Sequence, residues 1–169
     1  MRERSIPPQR TDRRGEAIRL TADPRGRRLL LVPAGAPPGA GEAFMRGWRS
    51  AEETVLRPRD GEALLRAAAS WADPFARSLG VEEPRLTLIL SRRVWGTCNA
   101  RLGLVALHED LSRMPDGAAR EVLLHELCHL REPAHTPAFW RLLTDMMPDW
   151  AEWEGVLRCL GARLRAAGS

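Results

Sequence analysis

Apolar residues recur with two different periods along this chain, and each change of period marks a boundary between candidate strands and candidate helices. The runs EAIRLTA and RRLLLVP are short and strand-like, and DPRG between them is a turn signal, so a β-hairpin is predicted over residues 16–33. PAGAPPGAGE then reads as a loop. From 42 to 57 the apolar positions Phe44, Met45, Trp48, Ala51 and Val55 fall at helical spacing. A second helix follows RPRDG, with Leu64, Leu65, Ala68 and Trp71 on one side. Asp73-Pro74 predicts a fresh helical turn, the Asp as cap and the Pro in the first position, with Gly80 ending it. RLTLILS (85–91) and RLGLVAL (101–107) read as strands, with VWGTCNA between them. MPDGAAREVLLHELCHLRE reads as a helix stopped by Pro133. Thr136-Pro137 caps and opens the next, Pro148 ends that one, and residues 150–165 form the last. Hairpin, helices, strands and then more helices, in blocks, predict an α+β fold.

Length and composition refine this picture. A chain of 169 residues suits one hydrophobic core, so residues 16–169 are expected to form a single domain. No apolar run approaches the ~18 residues of a membrane span. The N-terminus MRERSIPPQRTDRRGE is basic with no apolar stretch behind it, unlike a secretory signal. Cys98, Cys128 and Cys159 are odd in number and widely spaced, which suits reduced thiols and a cytoplasmic location. Charge is uneven. Residues 1–28 hold nine arginines against four acidic residues, while the rest of the chain is nearly neutral. Residues 1–15 therefore read as a disordered arginine-rich arm, able to hold phosphates of a nucleic acid or to remain solvated.

The chemistry lies in HELCHLREPAH, residues 125–135, which contains three of the four histidines. On a helix His125 and His129 project from one face and can grip one ion, and Glu126 stands beside that ion without having to bind it. Such a carboxylate can take a proton from a water whose pKa zinc has lowered to about 7. A catalytic zinc usually takes three protein ligands. His135 is the best third candidate, because Pro133 breaks the helix and lets the chain return from another direction. Glu132 is the rival, one turn further along the same face. Random placement gives HExxH about 0.008 times in a chain of this composition, so one zinc per chain is expected. Cys128 falls on another face and reads as core. Cys98 can be a small buried hydrophobe or approach the metal, and His108 reads as a surface or capping residue. Phe139, Trp140, Trp150 and Trp153 read as core, and Arg92 and Arg93 either line a cleft or lie solvated on an edge.

RRVWGTCNARLGLVAL, VLLHELCHLREPAHTPAFW and MPDWAEWEGVL, in that order, resemble the YgjP-like zinc metallopeptidase domain. The likeness rests on Trp95-Gly96-Thr97-Cys98, on His125 to Leu130, on His135 and on Phe139-Trp140, and covers about residues 85–160. It implies a compact zincin-like fold, with a small β-sheet over the zinc helix, His125, His129 and His135 as ligands, and Glu126 as base. It also implies that Trp95–Cys98 lie near the cleft, and a relation to SprT-like proteases, which act on proteins attached to DNA. A metzincin has the same histidine spacing but glycine where Glu132 stands. The leading expectation is a zinc-dependent hydrolase acting on peptides or proteins. Two alternatives are a nucleotide pyrophosphatase, with Arg92, Arg93 and Arg101 on phosphates, and a DNA-associated protease anchored by the arm.

Overall fold

The computed structural model describes residues 6–13 and 15–167, and its α+β architecture combines two three-stranded sheets with five helices. In the first sheet β2 (Arg19–Ala22) and β3 (Arg28–Pro33) pair antiparallel as the expected hairpin, Leu20 opposite Leu30. Asp23 builds the turn, its Oδ1 accepting from the backbone N–H of Arg25 and of Arg27 at 2.9 Å each. The third strand corrects the expectation of a free arm over 1–15. Gln9–Asp12 form β1, parallel to β3 with Gln9 opposite Leu30, while residues 1–5 and 14 lie outside the described residues. QRTD has no apolar alternation, so its place depends on backbone pairing that no pattern announces.

The second sheet has the order β4-β6-β5, from β4 (Arg85–Ile89), β5 (Gly96–Asn99) and β6 (Leu104–His108). β4 runs parallel to β6 and β5 antiparallel to it. β6 starts later than expected, because Gly103 turns the chain in a left-handed conformation and Leu102 stays exposed. Val105, Ala106 and Leu107 on this central strand are buried.

Helix α1 (Ala40–Ser50) ends well before residue 57. Arg163 Nη1 donates to the carbonyls of Ala51 and Thr54 at 3.0 and 2.7 Å, tying off that end, and Val55 turns out to solvent. Helix α2 (Gly61–Leu79) is capped by Asp60, whose Oδ1 accepts from Ala63 N–H at 2.9 Å, and it ends at Gly80 as expected. It runs unbroken through Pro74, where a restart was predicted. The buried stripe Leu64, Ala68, Ala72, Ala76 continues past the proline, so packing outweighs the lost hydrogen bond, and Asp73 pairs with Arg77 instead of capping.

Helix α3 (Asp116–Cys128) is central: Ala118, Val122, Leu123, Leu124, Leu127 and Cys128 are all buried, so it is covered all round. Thr136 caps α4 (Pro137–Met146), and α5 (Trp150–Ala167) closes the fold. α5 and α1 touch backbone to backbone. A side chain at Gly47 would run into the carbonyl of Glu152, and one at Gly155 into that of Phe44. Phe139, Trp140 and Trp150 join the core as expected, whereas Trp153 sits at its edge, its Nε1 donating to Asp149 Oδ2 at 2.8 Å.

Candidate metal centre

His125 lies on the last turn of α3, and His129 is its C-cap residue with near-helical backbone angles. The helix ends at Cys128, short of the predicted Glu132, and the next residues fold back tightly. Arg131 and Glu132 N–H both donate to the Cys128 carbonyl, at 3.0 and 2.8 Å. This reversal returns His135 to the other two. One ring nitrogen of each histidine lies within 4.8 Å of the others, and His125 Nε2 and His135 Nε2 are 2.9 Å apart. Among the described residues this is the one such cluster, and the Glu132 carboxylate, the rival ligand, is outside it.

Glu132 acts through its backbone. Its carbonyl lies 3.1 Å from His129 Nδ1 and can only accept, so Nδ1 carries the proton and Nε2 keeps its lone pair. Phe139 walls the cluster, stacked on His129 at 4.7 Å and edge-on to His125 and His135 at 4.8 and 4.7 Å. Burial lowers the pKa of all three histidines, that of His125 most. At neutral pH they are neutral imidazoles, the form that binds a metal ion.

Glu126 lies between two cavities of about 470 and 600 Å³ that flank the histidines. Burial pushes its carboxyl up to about 7. Strand β5 presses against it. A Cβ at Gly96 would stand 2.8 Å from Glu126 Cγ and 2.7 Å from Val122 Cγ1, so the sheet reaches the helix only because residue 96 is glycine. Cys98, also on β5, is half-buried and lines the second cavity but is not part of the histidine cluster. Cys128 is core, its thiol pushed up to about 12 by burial. His108 does cap, Nδ1 accepting from Asp110 N–H at 3.0 Å and Nε2 donating to Ser91 O at 2.8 Å, but it is buried, not on the surface. Arg93 lines the first cavity, and Arg101 lies in the turn after β5, away from both.

Sequence reasoning missed a set of charges behind the cluster. Glu121 is one turn before His125 on α3, 3% exposed, with Oε1 3.9 Å from His125 Nδ1. Glu154 on α5, also buried, accepts from Arg158 Nη2 at 3.3 Å and from Ile18 N–H at 3.4 Å. Burial holds both carboxyls above the usual carboxylate range. Glu121 continues the four-residue spacing of His125 and His129 backwards and was findable that way; Glu154 and Arg158 come from a distant helix and carry no such signal. Gly15, Glu16 and Ala17 also line the first cavity, so the segment between β1 and β2 forms one of its walls.

The family model for the YgjP-like metallopeptidase domain matches residues 48–159. This chain belongs to that family. As a YgjP-like metallopeptidase domain it is in the class of metal-dependent peptidases, which are hydrolases. The match begins upstream of the 85–160 core read from the sequence and takes in all three histidines and Glu126. The first sheet and most of α1 precede it. The crystal structure of the metallopeptidase zymogen abylysin of Pyrococcus abyssi is similar at 19% identity and a TM-score of 0.49, covering 58% of this chain and 95% of its own. None of the curated proteins compared with the chain matches it. Among the described residues no helix is long and apolar enough to cross a membrane.

Proposed function

We propose that this chain is a zinc peptidase in which His125, His129 and His135 hold one ion and Glu126 is the general base. The observation that carries the reading is the convergence of three neutral imidazoles, from a helix and a returning loop, beside a half-buried carboxyl in one cavity. The donor set fits: three nitrogen ligands approach from two directions, the usual protein complement of a catalytic zinc that keeps one position open. A bound zinc ion supplies Lewis acidity, polarising a carbonyl and lowering the pKa of a water to about 7.

The remaining work belongs to the chain. A cation at the histidines favours the ionised form of Glu126, offsetting the effect of its burial. Glu126 then takes a proton from the attacking water and delivers it to the leaving nitrogen. The Glu132 carbonyl holds His129 in its tautomer. β5 is an edge strand of the described sheet and lies against Glu126 through Gly96, so an extended peptide can pair with its outer edge and cross the cleft. The substrate is therefore a flexible peptide or protein segment. Three free cysteines suit a reducing, cytoplasmic setting.

The test incubates wild type and Glu126→Gln with a mixed peptide library and nucleoside triphosphates, with and without DNA, and identifies products by mass spectrometry. Peptide products from wild type, reduced about 10²–10⁴-fold in Glu126→Gln, support the reading. Nucleotide products without peptide products sink it in favour of phosphoanhydride hydrolysis. Peptide cleavage that requires DNA, and loses that requirement when residues 1–28 are deleted, assigns a nucleic-acid role to that arm.

A further inference from the structure

Beyond the histidines the first cavity continues into a second hollow of about 850 Å³, and Arg93, Val94, Trp95 and Arg158 line both. Six arginines border this hollow: Arg59, Arg92, Arg93, Arg113, Arg158 and Arg165. Among the described residues Asp110 is its one carboxylate, and Arg59 and Arg113 already hold it, at 2.7 and 3.7 Å. His108 adds no charge, since its Nδ1 accepts a hydrogen bond and its Nε2 donates one. The side chains of Arg92 and Arg93 have no hydrogen-bond or ion-pair partner among the described residues. Arg158 gives one nitrogen to Glu154, and its Nε is buried without a partner. Arg92 and Arg93 thus add two uncompensated guanidinium groups to a concave, partly enclosed site, where they concentrate positive potential.

We propose that this hollow binds an acidic stretch of the peptide substrate, so that the enzyme prefers Asp or Glu residues on one side of the scissile bond. The inference rests on the peptidase reading of the adjoining cleft. Arginine forks match carboxylates with two parallel hydrogen bonds. The shared wall is rigid: Trp95 meets the His108 ring edge-on at 5.1 Å, and its indole lies over Gly161, where no side chain would fit. The Ser91 hydroxyl accepts from the N–H of Arg93 and of Val94 at 3.1 and 3.2 Å, fixing the loop that carries the two free arginines. A single-stranded nucleic acid fits less well. It binds by stacking successive bases on aromatic rings, and Trp95 is the one tryptophan or phenylalanine lining the hollow.

The test uses two fluorescent peptides with one central sequence, flanked by Asp and Glu in the first and by Asn and Gln in the second. Binding is followed by anisotropy on full-length, zinc-loaded Glu126→Gln protein, which prevents turnover. The acidic peptide is expected to bind about tenfold tighter at low salt, the effect of two or three well-placed partly exposed charges. The gap should narrow as salt rises and nearly close in Arg92→Gln/Arg93→Gln, with Arg92→Lys/Arg93→Lys retaining most of it and both variants melting like the parent. Equal affinities, or a gap unchanged in the glutamine pair, overturn the proposal. So does an oligothymidylate of equal charge that displaces the acidic peptide more effectively than the peptide displaces itself. If wild type cleaves neither peptide while the acidic one still binds through Arg92 and Arg93, the anion site stands and the peptidase reading fails.

Discussion

Gly96→Ala tests the contact on which the catalytic geometry depends. The added methyl would lie 2.7 Å from Val122 Cγ1, 2.8 Å from Glu126 Cγ and 3.1 Å from Glu126 Oε1. Carbon atoms in ordinary contact sit about 3.5–4.0 Å apart, so each carbon overlap approaches 1 Å. Neither side yields freely. Val122 is 4% exposed in the core, and residue 96 is paired in register with the fully buried Leu107 of β6. Overpacking of this kind costs about 1–3 kcal/mol, and for a domain of this size each kcal/mol lowers Tm by roughly 2–4 °C. Displacing the base by most of an ångström costs about 10²-fold in rate.

The assay measures Tm, bound zinc and kcat/KM for Gly96→Ala, Val122→Ala and the double variant. Gly96→Ala is expected to keep its zinc, because the histidines lie on the end of α3 and its return loop. It should lose a few degrees of Tm and about a hundredfold in kcat/KM. Val122→Ala in the same chain removes the Val122 methyl overlap but not the overlap with Glu126. The double variant should therefore recover part of its stability relative to additivity and none of its activity. Wild-type activity in Gly96→Ala, or activity restored by Val122→Ala, would refute the placement of β5 against the base.

Three further outcomes follow from other parts of the structure. His129→Ala should abolish zinc binding and His135→Ala weaken it strongly, whereas Glu132→Ala, which keeps the carbonyl bonded to His129, should retain it; elemental analysis showing the reverse for residues 132 and 135 would reassign the third ligand. Brief alkylation of the native protein should modify Cys98 before Cys159 and leave Cys128 untouched until the chain unfolds, since Cys128 is fully buried with its thiol pushed up to about 12. Burial raises the native Glu154 carboxyl above its unfolded value near 4.5, so its contribution to stability is complete below that value and is lost as pH rises through the higher native one. Glu154→Gln should thus make stability fall less, or rise more, as pH increases above 4.5 than in the parent protein, as read by denaturant titration, and an unchanged pH dependence would count against the buried carboxyl.

The hairpin and the metal cluster were legible for the same reason: each depends on residues close in sequence. DPRG sets a turn that its own Asp23 builds, and α3 gives way to a tight reversal before Pro133, so that His135 returns six residues after His129. What escaped depends on distant partners. GTCN is a strand in spite of its glycine and asparagine because β6 offers a buried edge to pair with. Pro74 looked like a break, but the stripe from Leu64 to Leu79 packs across it. The end of α1 is set by Arg163, more than a hundred residues away. Glu121 is buried, and the Glu154 carboxyl beside it comes from α5, far along the chain.

The first sheet belongs to the cleft although it lies before the residues the family model matches. Ile18 N–H donates to Glu154, whose carboxyl also holds Arg158, and Gly15–Ala17 wall the cavity containing His125 and Glu126. Arg158 in turn borders both that cavity and the arginine-lined hollow. The N-terminal strands therefore help to bury a carboxylate that orients an arginine at the junction of the two. α1 extends the same dependence, since its Phe44 and Trp48 cover Gly155 one residue from Glu154. Residues 48–159 alone would keep the histidines and the base, yet leave Glu154 open to water and one side of the cleft without its wall. The proposed chemistry is local to eleven residues, but the shape of the space in which it would act is set by the whole described chain.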